Sequence, residues 1–525
     1  MKRPDNAADG TGTGDMRTTM ATPTTLHELL NAGDGRAPAI RASGIEALTY
    51  AGFRDLVTRT IDSLNALGIG RGDRVAIVLP NGPEMATSFV ATASAATAAP
   101  LNPSYRHDEF DFYMSDINTK ALIVEDGSTS PAVAVAKERG IMLITLKPDP
   151  ASGAGAFTLS AETPAEKPAQ TGPAQSDDTA LILHTSGTTS RPKIVPLSHK
   201  NVAASAGNIA TALQLSAGDR ALNIMPLFHI HGLIAGVLAP LSRGGSIFCT
   251  PGFNALKFFH AMEEAAPTWY TGVPTMHQAI LSRASHNAET IARHKLRFIR
   301  SSSSSLPPQV LSELEATFGA PVVEAYGMTE ASHQMASNPI GGVRKPGTVG
   351  LAAGPEVAIM DTEGNLLQPG EVGEIVIRGD NVTSGYENNA KANGEAFTNG
   401  WFRTGDQGTI DADGYITITG RLKEIINRGG EKVSPREVDE VLMDHPAVLQ
   451  VVTFAVPHDK LGEDVAAAVV LREGQEATER ELRDFANEHL AHYKVPRKIL
   501  LLPEIPKGAT GKLQRIGLAQ KLGLA

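Results

Sequence analysis

His184-Thr185-Ser186-Gly187-Thr188-Thr189-Ser190-Arg191-Pro192-Lys193 packs five hydroxyls, one glycine and one lysine into ten residues. Leu181-Ile182-Leu183 ahead of it reads as a buried strand, and the apolar spacing from His199 to Leu213 behind it predicts a helix. Hydroxyls donate to phosphate oxygens, glycine lets backbone N–H groups come close, and lysine adds a mobile positive charge. In that setting the stretch reads as a phosphate-binding loop rather than a Ser/Thr-rich linker. It lacks the G-x-x-x-x-G-K-[ST] pattern, because a single glycine precedes the lysine and Pro192 stands next to it.

Outward from this loop, short apolar runs alternate with helical spacing on both sides. Arg74–Leu79, Ala121–Val124 and Met142–Leu146 before the loop read as strands, as do Ala221–Ile224, Ser246–Cys249, Leu296–Ile299 and Pro321–Val323 after it. Such alternation predicts doubly wound parallel sheets covered on both faces. Residues 148–178, rich in Ala, Pro, Gly and acids, read as a surface connection. From Val349 the pattern turns to partly alternating runs with DTEG (361–364) and DADG (411–414) as hairpin turns, which predicts a barrel-like antiparallel subdomain. Beyond Arg421 the order helix, strand, strand, helix, strand predicts a small α+β domain. The expected organisation is therefore a disordered extension over 1–25, a large α/β domain over 26–422 and a mobile small domain over 423–525, jointed at Gly420-Arg421-Leu422-Lys423-Glu424.

Composition narrows the class. A chain of 525 residues exceeds one core, and a formal charge of -10 with no large basic patch argues against a nucleic-acid partner. No apolar run reaches the roughly 20 residues of a membrane span. One cysteine, Cys249, excludes an internal disulfide framework and fits a reducing, cytoplasmic compartment. The N-terminus lacks the apolar core of a signal peptide.

Several polar clusters sit at the C-terminal ends of the expected strands, the edge where doubly wound sheets bind ligands. They are the loop, the pair His229 and His231, the serine run Ser301–Ser305, and Glu324-Ala325-Tyr326-Gly327-Met328-Thr329-Glu330. Thr329 and Glu330 at a strand end suit Mg²⁺ on a phosphate. Asp406, in Trp401-Phe402-Arg403-Thr404-Gly405-Asp406, either shapes a turn or accepts from a ribose diol. The two histidines would need a third ligand to form a zinc site.

The words HTSGTTSRPK, EAYGMTE, GWFRTGD, GRLKEIINRGGEKVSP and PKGATGK, in this order from residue 184 to 512, resemble the adenylate-forming superfamily of acyl-CoA synthetases, adenylation domains and luciferases. The resemblance covers about Leu26 to Leu522. It implies an ATP-dependent acid–CoA ligase: a carboxylate takes the α-phosphorus of ATP, diphosphate leaves, the small domain swings, and the thiol of coenzyme A displaces AMP. By the same resemblance Thr185, Ser186, Gly187, Thr188, Thr189, Ser190 and Lys193 hold the β- and γ-phosphates, and Glu330, beside Thr329, holds Mg²⁺. Glu324-Ala325-Tyr326 adjoin the adenine, and Asp406 and Arg421 grip the ribose. Lys512 stabilises the charge of the adenylation step. Lys423 is the hinge, Arg428-Gly429-Gly430 line the pantetheine tunnel, and His229 is the gate beside the acyl pocket. One departure is Ile194, where the family usually has glycine, a residue that tolerates φ > 0.

Within that superfamily the words HTSGTTSRPK, FIRSSSSSL, MTEASHQMASNP and INRGGEKVSP most nearly resemble the oxalate–CoA ligases. The resemblance places His231, Ser302, Ser303 and His333 around the acid, with Arg300 nearby. A fatty-acid pocket would be apolar, since each buried CH₂ adds about 0.8 kcal/mol. A polar pocket suits a small acid bearing a second charge. Malonate, a medium-chain acid, loading onto a carrier-protein thiol, and a non-catalytic nucleotide-binding role stay open, as does a monomer or homodimer.

Overall fold

The computed structural model describes residues 22–161, 167–185, 192–506 and 513–525. Two large sheets carry the main body. The first has seven strands in the order Phe157–Ala161, Met142–Pro148, Ala121–Glu125, Arg74–Val78, Thr97–Pro100, Thr179–His184 and Ile194–Ser198. Its five inner strands are parallel and its two edges antiparallel. The second has nine strands, with a parallel run through Val322–Met328, Phe298–Ser302, Trp269–Gly272, Arg220–Asn223, Ser246–Cys249 and Pro38–Ala42. The inner strands are nearly continuous in Val, Ile, Leu and Ala because helices bury both faces. Pro83, Pro131, Pro274 and Pro308 open four of those helices, where a missing N–H costs no hydrogen bond.

Three findings differ from the expectations. The stretch expected as a surface connection pairs Phe157–Ala161 antiparallel onto Met142–Pro148 and buries Ala154, Ala156 and Phe157. Glycines let the chain bend there: Gly155, at φ +77°, lies where a Cβ would stand 2.7 Å from the Pro83 carbonyl. The phosphate loop does not run straight into the helix His199–Ala212, because the strand Ile194–Ser198 intervenes. That strand contains Pro196 and sits at the sheet edge, where a missing donor is tolerated. The barrel-like unit is an antiparallel five-stranded sheet of Glu356–Met360, Gly373–Arg378, Trp401–Ile410, Phe397–Thr398 and Ile416–Arg421, which no strand pairing among the described residues closes.

The last sheet joins Glu431–Val433, Ile426–Arg428, Gly462–Leu471, Val448–His458 and Lys498–Leu501, with the helices Pro435–Met443 and Glu479–His489 over its own core. It touches the large unit through polar contacts. The Gln278 amide donates to the Leu449 carbonyl at 3.0 Å, Gln309 to Asp444 at 3.0 Å, and Arg436 to the Ile418 carbonyl at 2.7 Å. Most of the expected N-terminal extension lies outside the described residues, although the Thr24 and Thr25 N–H groups already donate to the Glu28 carboxylate at the start of the helix Leu26–Leu29.

Candidate active site

The ends of Arg220–Asn223, Trp269–Gly272, Phe298–Ser302 and Val322–Met328 lie side by side, because these strands are neighbours in the parallel run. After Met328 the chain turns through Thr329–Ala331 and comes back as His333–Ser337, with His333 opposite Met328. The turn is tight: Ser332 has φ +49° and His333 φ +99°, and on the adjacent strand end Ser303 has φ +74°. Residues with a Cβ rarely adopt such angles, and strain gathered on one edge marks a place where side chains are aimed.

Arg300 lies at the centre of that edge and is fully buried. One terminal nitrogen donates to His231 Nε2 at 3.2 Å and Thr271 Oγ1 at 3.4 Å; the other donates to His333 Nε2 at 3.1 Å and Gln334 Oε1 at 3.2 Å. Arginine only donates, so both Nε2 atoms accept, and both imidazoles are neutral with the proton on Nδ1. His231 Nδ1 then donates to Ser303 Oγ at 3.0 Å, and the two rings stack at 4.7 Å. Among the described residues no carboxylate faces the guanidinium. Burial pulls Arg300 down to about 9, which leaves it charged at neutral pH. A buried charge ordinarily has a counter-charge. Here the surroundings are neutral donors and acceptors.

Beside this cluster lies a set of charged groups. Asp406 stands on the strand Trp401–Ile410 rather than in a turn, and accepts from the Tyr326 hydroxyl and from Arg421 Nε at 2.9 Å. Tyr326 is buried and its hydroxyl holds the acid. Glu330 is buried, accepts from the Tyr386 hydroxyl at 2.8 Å, and is raised above the usual carboxylate range by burial. The Lys193 ammonium lies 4.2 Å over the Tyr386 ring. Its pKa is lowered, first by burial and then by the charge of Lys423. Thr185 and Lys193 close the loop by Thr185 N–H to the Lys193 carbonyl at 2.9 Å and Lys193 N–H to Thr185 Oγ1 at 3.1 Å. Ile194 fits this closure: it pairs with His184, is buried against Ala99, Ile117 and Ile182, and is not among the positive-φ residues. A β-branched residue suits an edge strand, so no glycine is needed.

The remaining expected residues are placed as follows. His229 is half-buried, and its Nδ1 accepts from the His231 N–H at 3.3 Å. Ser302 gives its hydroxyl to the Ala325 carbonyl at 2.8 Å, tying two strand ends together. The Glu324 side chain turns inward; burial pushes it up to about 7, with Arg436 acting against that. Thr329 opens the short helical turn. Lys423 is exposed. Arg428 is held by Asp464 of its own sheet at 2.7 Å, and Gly429 and Gly430, at φ +62° and +102°, make the hairpin turn beside it. Ser186, Gly187, Thr188, Thr189, Ser190 and Lys512 lie outside the described residues. Sequence reasoning missed Gln334, Thr271 and Tyr386. Cys249 is buried and pushed up to about 12, hence unreactive.

A cleft of about 470 Å³ opens at the Pro226-Leu227-Phe228 segment that leads into His229, lined also by Asn81, Asn102, Tyr105 and Met276. No group of three or more His, Cys, Asp or Glu able to hold a metal occurs among the described residues. A single carboxylate such as Glu330 fits Mg²⁺, which binds through one or two carboxylates plus substrate phosphates.

On an α/β frame the strand ends thus gather a loop lysine, a buried carboxylate on a tyrosine hydroxyl, a second carboxylate held by tyrosine and arginine, and a buried guanidinium among neutral groups, an arrangement chemically able to hold anionic groups. The chain belongs to the AMP-binding enzyme family: the family's model matches residues 20–387, and the model of its C-terminal domain matches 437–512. It is 45% identical to an oxalate–CoA ligase of Arabidopsis thaliana, covering 92% of this chain and 95% of that one. It is 43% identical to an oxalate–CoA ligase of Saccharomyces cerevisiae, covering 86% and 87%. ATP-bound MatB from Rhodopseudomonas palustris superimposes with a TM-score of 0.84 at 30% identity, over 95% of this chain and 98% of that one. No helix among the described residues is long and apolar enough to cross a membrane.

Proposed function

We propose that this enzyme joins oxalate to coenzyme A: oxalate + ATP + CoA → oxalyl-CoA + AMP + diphosphate. The observation that carries the reading is the buried Arg300 guanidinium, which has neutral neighbours and, among the described residues, no carboxylate beside it. A dicarboxylate keeps one charge for recognition while the other carboxylate reacts. The remote carboxylate is held by His231, Ser303 and His333, with the charge of Arg300 behind them and Ser302 fixing the strand ends. Polar and charged groups in this cluster suit a short dicarboxylate better than an acyl chain, which would be held by apolar contacts.

The reacting carboxylate oxygen bonds to the α-phosphorus of ATP, and the bond to the diphosphate oxygen breaks. Lys193 and Thr185, with Ser186 to Ser190, hold the phosphates, and Asp406 and Arg421 take the ribose. Glu330 would hold Mg²⁺, which would supply neutralisation of the triphosphate charge. Lys512 stabilises the charge that builds on the α-phosphate. The small unit then turns about Lys423, which brings Arg428, Gly429 and Gly430 to the cleft beside His229. The CoA sulfur enters there, bonds to the acyl carbon, and AMP leaves with the electrons of the broken C–O bond. The test is direct mass detection of the product. Oxalyl-CoA formed from oxalate, ATP and CoA supports the reading; adenylation of other acids without oxalyl-CoA refutes it.

A further inference from the structure

Tyr386 stands between two groups that the reaction needs and that lie far apart in sequence. Its hydroxyl donates to Glu330 Oε1 at 2.8 Å, and its ring lies 4.2 Å beneath the Lys193 ammonium. The segment around it is laced to both neighbours. Thr383 N–H donates to the Glu330 carbonyl at 2.7 Å, and Thr383 Oγ1 donates to the Pro196 carbonyl at 2.8 Å. Glu387 N–H donates to the Ile194 carbonyl at 3.1 Å, while its carboxylate takes two bonds from Arg74 at 2.8 and 2.9 Å. Asn393 grips the Tyr386 backbone at both ends, accepting from its N–H at 2.7 Å and donating to its carbonyl at 2.8 Å.

Lys193 and Glu330, an ammonium and a carboxylate, meet the same tyrosine, one over its ring and one at its hydroxyl. With nothing between them they would form an ion pair, and both would be lost to the nucleotide. The aromatic ring offers the ammonium a face to rest on. The hydroxyl satisfies one carboxylate oxygen and leaves the other open. We propose that Tyr386 is a positioning residue that keeps the phosphate-loop lysine and the cation-holding carboxylate apart, so that ATP and its divalent cation meet both. This inference rests on the ATP reading of the site.

The experiment is calorimetric titration of the full chain with ATP, with and without Mg²⁺, alongside KM for each substrate, in Tyr386→Phe and Tyr386→Leu. Tyr386→Phe keeps the ring and loses the bond to Glu330. Metal-free ATP binding should stay within twofold, while the Mg²⁺ needed for half-saturation rises about tenfold, the worth of one hydrogen bond to a charged group. Tyr386→Leu loses both contacts, so metal-free ATP binding should fall as well, by about fivefold, the worth of one cation–π contact. KM for oxalate should stay within twofold in both. Unchanged or tighter Mg²⁺ dependence in Tyr386→Phe overturns the assignment, and so does equal weakening of ATP and oxalate. If Tyr386→Leu fails to fold, Tyr386→Phe decides alone. A wild-type chain that binds no ATP overturns the functional reading and this assignment together; normal wild-type binding with unaltered variants overturns this assignment alone.

Discussion

The Arg300 guanidinium donates to His333 Nε2 at 3.1 Å, with both side chains fully or almost fully buried. His333 therefore keeps its proton on Nδ1, and the positive charge stays on Arg300. The same holds for His231 on the other terminal nitrogen. One buried cation thus orients two neutral imidazoles.

Arg300→Met removes the charge and all four of its hydrogen bonds while keeping an unbranched side chain. KM for oxalate should rise about ten- to a hundredfold, the worth of a buried hydrogen bond to a charged group or somewhat more, while KM for ATP stays within threefold. Steady-state kinetics with each substrate varied in turn checks this; a common effect on both constants would count against Arg300 as the anion anchor.

His333→Ala leaves the charge but removes one ring of the stack. Its KM for oxalate should rise much more than its KM for ATP. Because His333 occupies φ +99°, the replacement also tests whether that strain serves the acid alone. Unchanged oxalate kinetics would mean that the ring only fills space.

An uncompensated buried charge makes the empty enzyme less stable than the liganded one. Oxalate at a hundred times its Kd should stabilise the fold by about 2.7 kcal/mol by mass action. Acetate, which lacks the second carboxylate, should raise Tm little at the same concentration. Equal shifts in a thermal melt would contradict the two-carboxylate reading.

Acid stability has a separate source. Burial pushes His199 down to about 4 and His277 to about 3. In the unfolded chain both titrate near 6.5. Above that pH neither state is protonated, and their contribution is complete. As pH falls from 6.5 towards 4, the unfolded chain binds protons that the folded chain refuses, and stability drops by about 3 kcal/mol per histidine. Urea unfolding between pH 7.5 and 4 measures this, and His199→Asn should reduce the slope by one proton. An unaltered slope in that variant would be the contrary result.

Much of the site could be read because its signals are local. The loop at 184–193 shows its chemistry in composition alone, and Asp406 and Glu330 sit in short, dense words. Arg300 shows in the sequence only as a neighbour of the acid, since an arginine at the end of an apolar strand gives no sign that two earlier elements, at His231 and Thr271, and one later one, at His333-Gln334, close over it. His333–Ser337 carries no strand signal in the sequence, because all five residues are buried and its polar and apolar types do not alternate. Ile194–Ser198 was hidden by Pro196, a residue that argues against a strand except at an edge. Tyr386 has no local pattern at all; its importance lies in two contacts made across the fold.

The central claim is that this site activates oxalate, and diphosphate release measures it most directly. With ATP, Mg²⁺ and CoA, the rate is compared across oxalate, malonate, acetate, hexanoate and 4-coumarate, in the wild type and in Arg300→Met. The expected result is a strong preference for oxalate that disappears in the variant. A preference for hexanoate or malonate, or an Arg300→Met enzyme that still prefers oxalate, would contradict it.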